Sequence, residues 1–148
     1  MKEFGDSGRE GVILVSTYLN FSDPSAIKAL TNFKGIQVSF VDEQNFHGKT
    51  YLFEHQNYAK LMVGSSNLTQ NALGKNTEVN LSISTKHESN LYLQTKAQLD
   101  AWISRADQVS QENLDRYEKY WRDAKDKIKT NIFLNITVTP MLMYCMCS

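Results

Sequence analysis

The sequence predicts an α/β domain in which a mixed β-sheet is flanked by helices and followed by a C-terminal helical pair. Three observations carry this. A β-branched apolar run at Val12–Tyr18 leads directly into a helix start, several short alternating runs follow between Ile36 and Ser84, and the period becomes helical from Ser89. A strand, a helix and then several strands imply a sheet with both parallel and antiparallel neighbours.

Residues Val12 to Tyr18 follow Gly11 and read as a buried strand. Ser22-Asp23-Pro24 pairs a capping side chain with a proline suited to the first turn of a helix. Ala26, Ile27, Ala29, Leu30 and Phe33 supply that helix with an apolar face, and Gly35 is expected to end it. Ile36, Val38 and Phe40 alternate with Gln37 and Ser39, as a strand requires. Further strands are expected around Lys49–Phe53 and Tyr58–Val63. Next come a loop at Gly64–Asn67, a short helix at Leu68–Leu73 and an alternating run from Glu78 to Ser84. Leu91, Leu93, Ala97, Leu99, Trp102 and Ile103 suit one amphipathic helix, and Val109, Leu114, Tyr117, Tyr120 and Trp121 a second. Ser110-Gln111-Glu112-Asn113 opens the second without the Glu or Gln of a capping box. Its aromatic stripe reads as core. Lys119, Arg122, Lys125, Lys127 and Lys129 interleave with Asp115, Glu118, Asp123 and Asp126, which makes a solvated face of i,i+4 pairs.

Composition bounds the function. A chain of 148 residues fits one domain, and 41% apolar with 11% aromatic residues argues against disorder. The formal net charge is zero and the pI about 6.8, so nothing in the overall charge points to nucleic acid. Any phosphate-binding site has to be local. Cys145 and Cys147 are the only cysteines and form neither a zinc nor a disulfide framework. The first residues lack an apolar core, so no signal peptide is expected and a cytoplasmic location is the default. Residues 1–129 are expected to form one domain, with its sheet part at about 11–85 and its helical part at about 89–129. Residues 130–148 form an apolar, sulfur-rich tail that falls short of the roughly 20 apolar residues of a spanning helix. A divergent or frameshifted end and an extra strand both remain open for it.

One constellation carries chemistry. The chain reads Phe46-His47-Gly48-Lys49-Thr50-Tyr51-Leu52-Phe53, then Gly64-Ser65-Ser66-Asn67-Leu68-Thr69, then Asn76-Thr77-Glu78. In a strand, His47 and Lys49 share a face, and an ammonium beside an imidazole disfavours its protonated form. The glycine-serine loop and the Asn67 amide suit the non-bridging oxygens of a phosphate. Glu78 is a candidate to accept the proton on the far histidine nitrogen and so fix its tautomer. His55 and His87 read as ordinary surface residues. No metal site is expected, because the histidines do not stand with carboxylates at ligand spacing.

The order His47-x-Lys49, Gly64-Ser65-Ser66-Asn67, Glu78 resembles the signature of the phospholipase D superfamily. It is most similar to the branch of single-motif bacterial endonucleases and of PLD-like domains attached to helicases. Tyr51, Phe53, Leu68, Thr69, Ala72 and Leu73 also stand at matching places, and Ser16–Pro24 resembles the strand-to-helix entry of the helicase-attached domains. The likeness covers about Gly11 to Trp121. It implies a phospholipase D-like mixed sheet, no cofactor, and a two-step transfer through a covalent phosphohistidine, with a second histidine protonating the leaving oxygen. His47 would be the nucleophile or its acid partner, Lys49 and Asn67 would hold phosphate oxygens, Glu78 would orient His47, and Ser65 or Ser66 would add a hydroxyl. With a single motif, the second histidine must come from another copy, so a homodimer is expected. Two departures stand out: the usual Asp falls at Glu54, and the chain is expected to begin inside the domain, lacking an earlier strand and helix. No Gly-x-x-x-x-Gly-Lys-Thr/Ser loop of a helicase is present.

The expected activity is metal-independent cleavage of DNA within a restriction or helicase system. A non-catalytic DNA-binding or assembly module is the alternative. A lipid-acting phospholipase ranks third, since the sequence displays no second motif, secretion signal or membrane-binding face.

Overall fold

A computed structural model describes residues 8–18, 22–44, 46–67, 75–130 and 141–146. In chain order its elements are β1 (Glu10–Ser16), α1 (Pro24–Thr31), β2 (Ile36–Val41), β3 (Thr50–Glu54), β4 (Ala59–Gly64), β5 (Asn80–Thr85), α2 (Asn90–Ile103), β6 (Asp107–Gln108), α3 (Gln111–Thr130) and β7 (Met141–Met146). The mixed α/β architecture is the one expected. The helix expected at Leu68–Leu73 lies outside the described residues.

The strands form one sheet in the order β5-β4-β3-β7-β1-β2-β6. Strands β1 and β2 run parallel, with Gly11 opposite Ile36 and Ser16 opposite Val41. Strand β7 lies antiparallel to β1 and parallel to β3. Of the readings open for the tail, residues 141–146 take that of an extra strand, and its place is the middle of the sheet.

Helices cover both faces. Ile13 and Val15 of β1 and Val38 and Phe40 of β2 pack beneath α1 and α3, against Ile27, Leu114 and Tyr117. The opposite face carries Leu14, Val41, Leu52, Ala59 and Leu61 under Leu99 of α2, with Phe46 closing the end of that core. Phe46 meets Trp102 edge-on at 5.3 Å between ring centroids. The alternation expected for β2 holds, but its second face is not solvated: Ser39 and Val41 are also buried.

Local chemistry explains the helix boundaries. The Asp23 carboxylate accepts from the Ser25 N–H at 2.8 Å and from its hydroxyl, which caps α1 and holds the Asp23 pKa below the usual carboxylate range. The helix stops at Thr31, and Phe33 lies beyond it, so Gly35 is not the helix stop expected of it. Instead Gly35 adopts φ +77° and turns the chain into β2, where an added Cβ would stand 2.2 Å from the Arg9 carbonyl oxygen. Ser89 caps α2 by accepting from the Tyr92 N–H. The buried stripe of α2 is rotated from the expected one. Tyr92, Leu99, Trp102 and Ile103 face the core, while Leu91, Leu93 and Ala97 are exposed. A reciprocal pair opens α3: Ser110 Oγ accepts from the Asn113 N–H, and Asn113 Oδ1 accepts from the Ser110 N–H. Asn113 therefore completes the capping box that appeared to need Glu or Gln. On α3 itself Leu114 and Tyr117 are buried, but Tyr120, expected in the core, is 57% exposed. Glu118 and Arg122 form one of the expected i,i+4 pairs, and the Lys125 ammonium lies 3.8 Å over the Trp121 ring.

Candidate active site

Topology brings the motif residues together. Because β7 is antiparallel to β1 and parallel to β3, β3 runs opposite to β1 and β2. Strand β4 is antiparallel to β3, and β5 to β4. The segment before β3, the loop after β4 and the segment before β5 therefore all meet at the edge where β1 and β2 end. His47 and Lys49 lie in the first of these, Ser65, Ser66 and Asn67 in the second, and Glu78 in the third.

His47 is not inside the strand as expected, since β3 begins at Thr50. The pairing extends one residue back, however, with the Gly64 N–H donating to the Lys49 carbonyl at 3.3 Å. Lys49 and Tyr51 then share a face, the one opposite Leu52 and hence the α1/α3 side of the sheet. The Lys49 Nζ stands 2.9 Å from His47 Nδ1 and 3.3 Å from Nε2. Both groups lose protons more readily than usual. Desolvation is the larger cause of the lowered His47 pKa, and the Lys49 charge, the cause legible in the sequence, is the lesser one. Desolvation also lowers the Lys49 pKa, opposed by the Glu78 carboxylate.

The serine loop is built from hydrogen bonds. Tyr51 donates its hydroxyl to the buried Ser66 carbonyl at 2.8 Å. Desolvation, with Glu78 nearby, raises the Tyr51 pKa and keeps that hydroxyl a donor. Asn80 Nδ2 donates to Ser66 Oγ at 2.6 Å, while the Ser66 N–H reaches Asn80 Oδ1 at 3.4 Å. Ser65 Oγ donates to Glu78 Oε2 at 2.5 Å and accepts from the Val79 N–H at 3.0 Å. Gly64 makes the close approach possible: a Cβ there would stand 2.3 Å from both the Val79 carbonyl oxygen and Asn80 Oδ1. Of the two candidate serines, Ser65 is exposed but gives its hydroxyl proton to Glu78, and Ser66 is buried and committed to the loop.

One expected contact is not made. Glu78 accepts from Ser65 and, at 3.2 Å, from Asn76 Nδ2, rather than from His47. Asn67 Oδ1 is buried and has no partner among the described residues. The other end of that amide is an NH₂ donor, the kind of group that suits a phosphate oxygen.

Neighbouring residues clarify the departures. Glu54, at the family's usual Asp position, sits at the far end of β3 and accepts from the Tyr92 hydroxyl. Desolvation first and Glu54 second push the Tyr92 pKa up to about 12. His55 stacks on Tyr58 at 4.4 Å. His87 is more enclosed than the surface residue expected, packing on Tyr92 at 4.9 Å with Nε2 buried. Sequence reasoning gave no role to Tyr51 or Asn80. Their signals were the i+2 spacing of Tyr51 from Lys49 and the Asn76-x-Glu78-x-Asn80 alternation.

Residues 11–125 match the family model described as "Cardiolipin synthase, PLD-like domain". The chain belongs to the phospholipase D-like superfamily, whose chemistry is in general that of a phosphodiesterase. No curated protein matches the chain. Among the described residues, no helix is long and apolar enough to cross a membrane.

Proposed function

We propose that the protein is a metal-independent phosphodiesterase that cleaves DNA internally, through a phosphohistidine on His47, as a homodimer. The convergence of His47, Lys49, the serine loop and Glu78 on one sheet edge carries this reading. His47, neutral to lower pH than usual, attacks phosphorus, and the bond to the leaving oxygen breaks. The partner subunit's His47, in its protonated form, gives that oxygen its proton. Water then attacks the phosphohistidine, passing a proton to the partner subunit's His47 as the P–N bond breaks. Lys49 and the Asn67 amide stabilise charge on the non-bridging oxygens, and Ser65 adds its hydroxyl once that proton turns from Glu78 to the phosphate. Homodimerisation follows from the single motif, and a restriction or helicase system in the cytoplasm is the setting that the motif's likeness suggests.

The test incubates purified full chain with labelled single- and double-stranded DNA in excess EDTA, beside His47→Ala. Cleavage by the wild type alone, with one DNA fragment trapped on His47 through an acid-labile P–N bond, is the expected outcome. A folded dimer that binds DNA and cuts neither form would sink the catalytic reading. The non-catalytic binding module is then the second reading, and one observation favours it: Glu78 is engaged by Ser65 and Asn76, away from the imidazole.

A further inference from the structure

A cleft of about 570 Å³ opens at the ends of β1 and β2, lined by Thr17, Phe40, Asp42, Asp107, Arg116 and Tyr120 among others. It shares its sheet edge with His47 and Lys49. It also shares their face, since Phe40 belongs to the core under α1 and α3. Strands are spaced about 4.8 Å apart, so the β1 end lies two spacings, roughly 10 Å, from the start of β3. A flanking nucleotide of a strand cut at His47 can reach it.

Part of the lining is committed, since Asn113 caps α3 and the Tyr117 hydroxyl donates to the Ser22 carbonyl, but the rest is not. The Arg116 guanidinium has no ion-pair or hydrogen-bond partner among the described residues, although two carboxylates share its cleft. The Asp107 carboxylate and the Tyr120 hydroxyl are likewise without partners, and Asp42 accepts only from the Thr17 hydroxyl at 3.0 Å. Tyr120 presents a ring 57% exposed on a helix whose other aromatic residues pack inward. The ligand that such a set fits has an anionic group for the guanidinium, a flat face for the ring, and N–H donors for the carboxylates. A nucleotide of a single strand has all three: phosphate, base, and exocyclic amine or ring imine.

We propose that this cleft is a nucleotide subsite for the strand flanking the scissile phosphate, with Arg116 on a phosphate and Tyr120 stacked on a base. It rests on the nucleic-acid reading above and names single-stranded nucleic acid as the class bound. Loss of a stacking residue reduces affinity roughly 5- to 150-fold per base. Loss of one phosphate contact lowers the slope of log affinity against log salt by about 0.7 for a single strand.

The experiment uses the full chain with Tyr120→Ala, Tyr120→Phe and Arg116→Ala. Anisotropy of a labelled single-stranded oligonucleotide is read across a salt series, and KM is read for the oligonucleotide and for bis(p-nitrophenyl) phosphate. Tyr120→Ala is expected to weaken oligonucleotide binding by at least about 5-fold, with the salt slope kept and the affinity regained in Tyr120→Phe. Arg116→Ala is expected to flatten the slope. Both alanine variants should raise KM far more for the oligonucleotide than for the small diester. Unchanged oligonucleotide affinity would overturn the proposal, as would equal losses on both substrates. So would a wild type that binds phosphatidylglycerol vesicles through these residues and no oligonucleotide. Because anisotropy needs no turnover, a chain that binds through the cleft without cutting upholds the subsite while the catalytic reading fails.

Discussion

Removing the chain after Thr130 should unfold the domain. Strand β7 pairs with six residues of β1 on one side and four of β3 on the other, and no ladder joins β1 to β3 directly. Without β7, the sheet becomes two three-stranded pieces, β5-β4-β3 and β1-β2-β6, with two unpaired inner edges. At about 0.5–1.5 kcal/mol net per hydrogen bond, roughly ten ladder bonds contribute about 5–15 kcal/mol. That equals the whole stability of an ordinary domain, roughly 5–15 kcal/mol. The truncated chain is therefore expected to show no cooperative transition in a urea or thermal melt followed by circular dichroism, whereas the full chain shows one. A synthetic peptide of residues 131–148 should restore part of the transition. A truncated chain that melts cooperatively, with the full chain's denaturant slope and a midpoint within a few degrees, would refute the central place given to β7.

Two further substitutions test how the serine loop is held. Gly64→Ala puts a Cβ against the Val79 carbonyl and must displace the segment carrying Glu78. An overpacking cost of about 1–3 kcal/mol is expected. Phosphodiester cleavage should fall more than about ten-fold, on the order of what one misplaced site group costs; wild-type kcat/KM would argue against the close approach. Tyr51→Phe leaves the buried Ser66 carbonyl without its donor. The expected loss is about 1–3 kcal/mol, a fall in Tm of roughly 2–12 °C by calorimetry, and an unchanged Tm would exclude the bond.

The sequence made the architecture legible wherever the pattern was local. Asp23-Pro24 announced α1, and the alternation at Ile36–Val41 and the strand-like run around Tyr58–Val63 announced β2 and β4. It misled where tertiary packing chose among apolar residues. Leu91 and Leu93 outrank Tyr92 in hydrophobicity, yet Tyr92 faces inward because Glu54 accepts its hydroxyl and His87 packs on its ring. Tyr120 fits the helical stripe but lines the open cleft at the ends of β1 and β2, where its ring stays exposed. The tail could not be read because its pairing is wholly long-range: Met141–Met146 finds neighbours about 130 residues earlier in β1, beyond any local period. The site residues were legible as a motif, whereas their contacts were not. Which group Glu78 meets depends on where the loop after β4 places Ser65, and that is fixed by Gly64, Tyr51 and Asn80 together.

The pairing of His47 with Lys49 leads to a last prediction, about proton placement. An ammonium only donates hydrogen bonds, so the ring nitrogen that it faces must be the unprotonated one. Lys49 Nζ stands 2.9 Å from Nδ1 and 3.3 Å from Nε2, so it reaches whichever of the two carries the lone pair. The lone pair needed for attack on phosphorus is therefore directed at the lysine when no substrate is bound. A phosphate dianion competes for the ammonium, releases the imidazole and cancels the charge that helped depress its pKa. Burial, the larger cause, stays. Saturating inorganic phosphate should thus move the His47 titration upward, as should Lys49→Met, and in Lys49→Met without phosphate it should remain below the ordinary histidine value of about 6.5. The acid limb of kcat/KM, which follows the free enzyme, should accordingly lie below that value in the wild type, since the nucleophile is lost only as pH falls through its lowered pKa. Histidine ring resonances, assigned with His47→Ala, report this without turnover. If His47 titrates identically with and without phosphate while phosphorus resonances show phosphate bound, Lys49 does not exchange the imidazole for substrate.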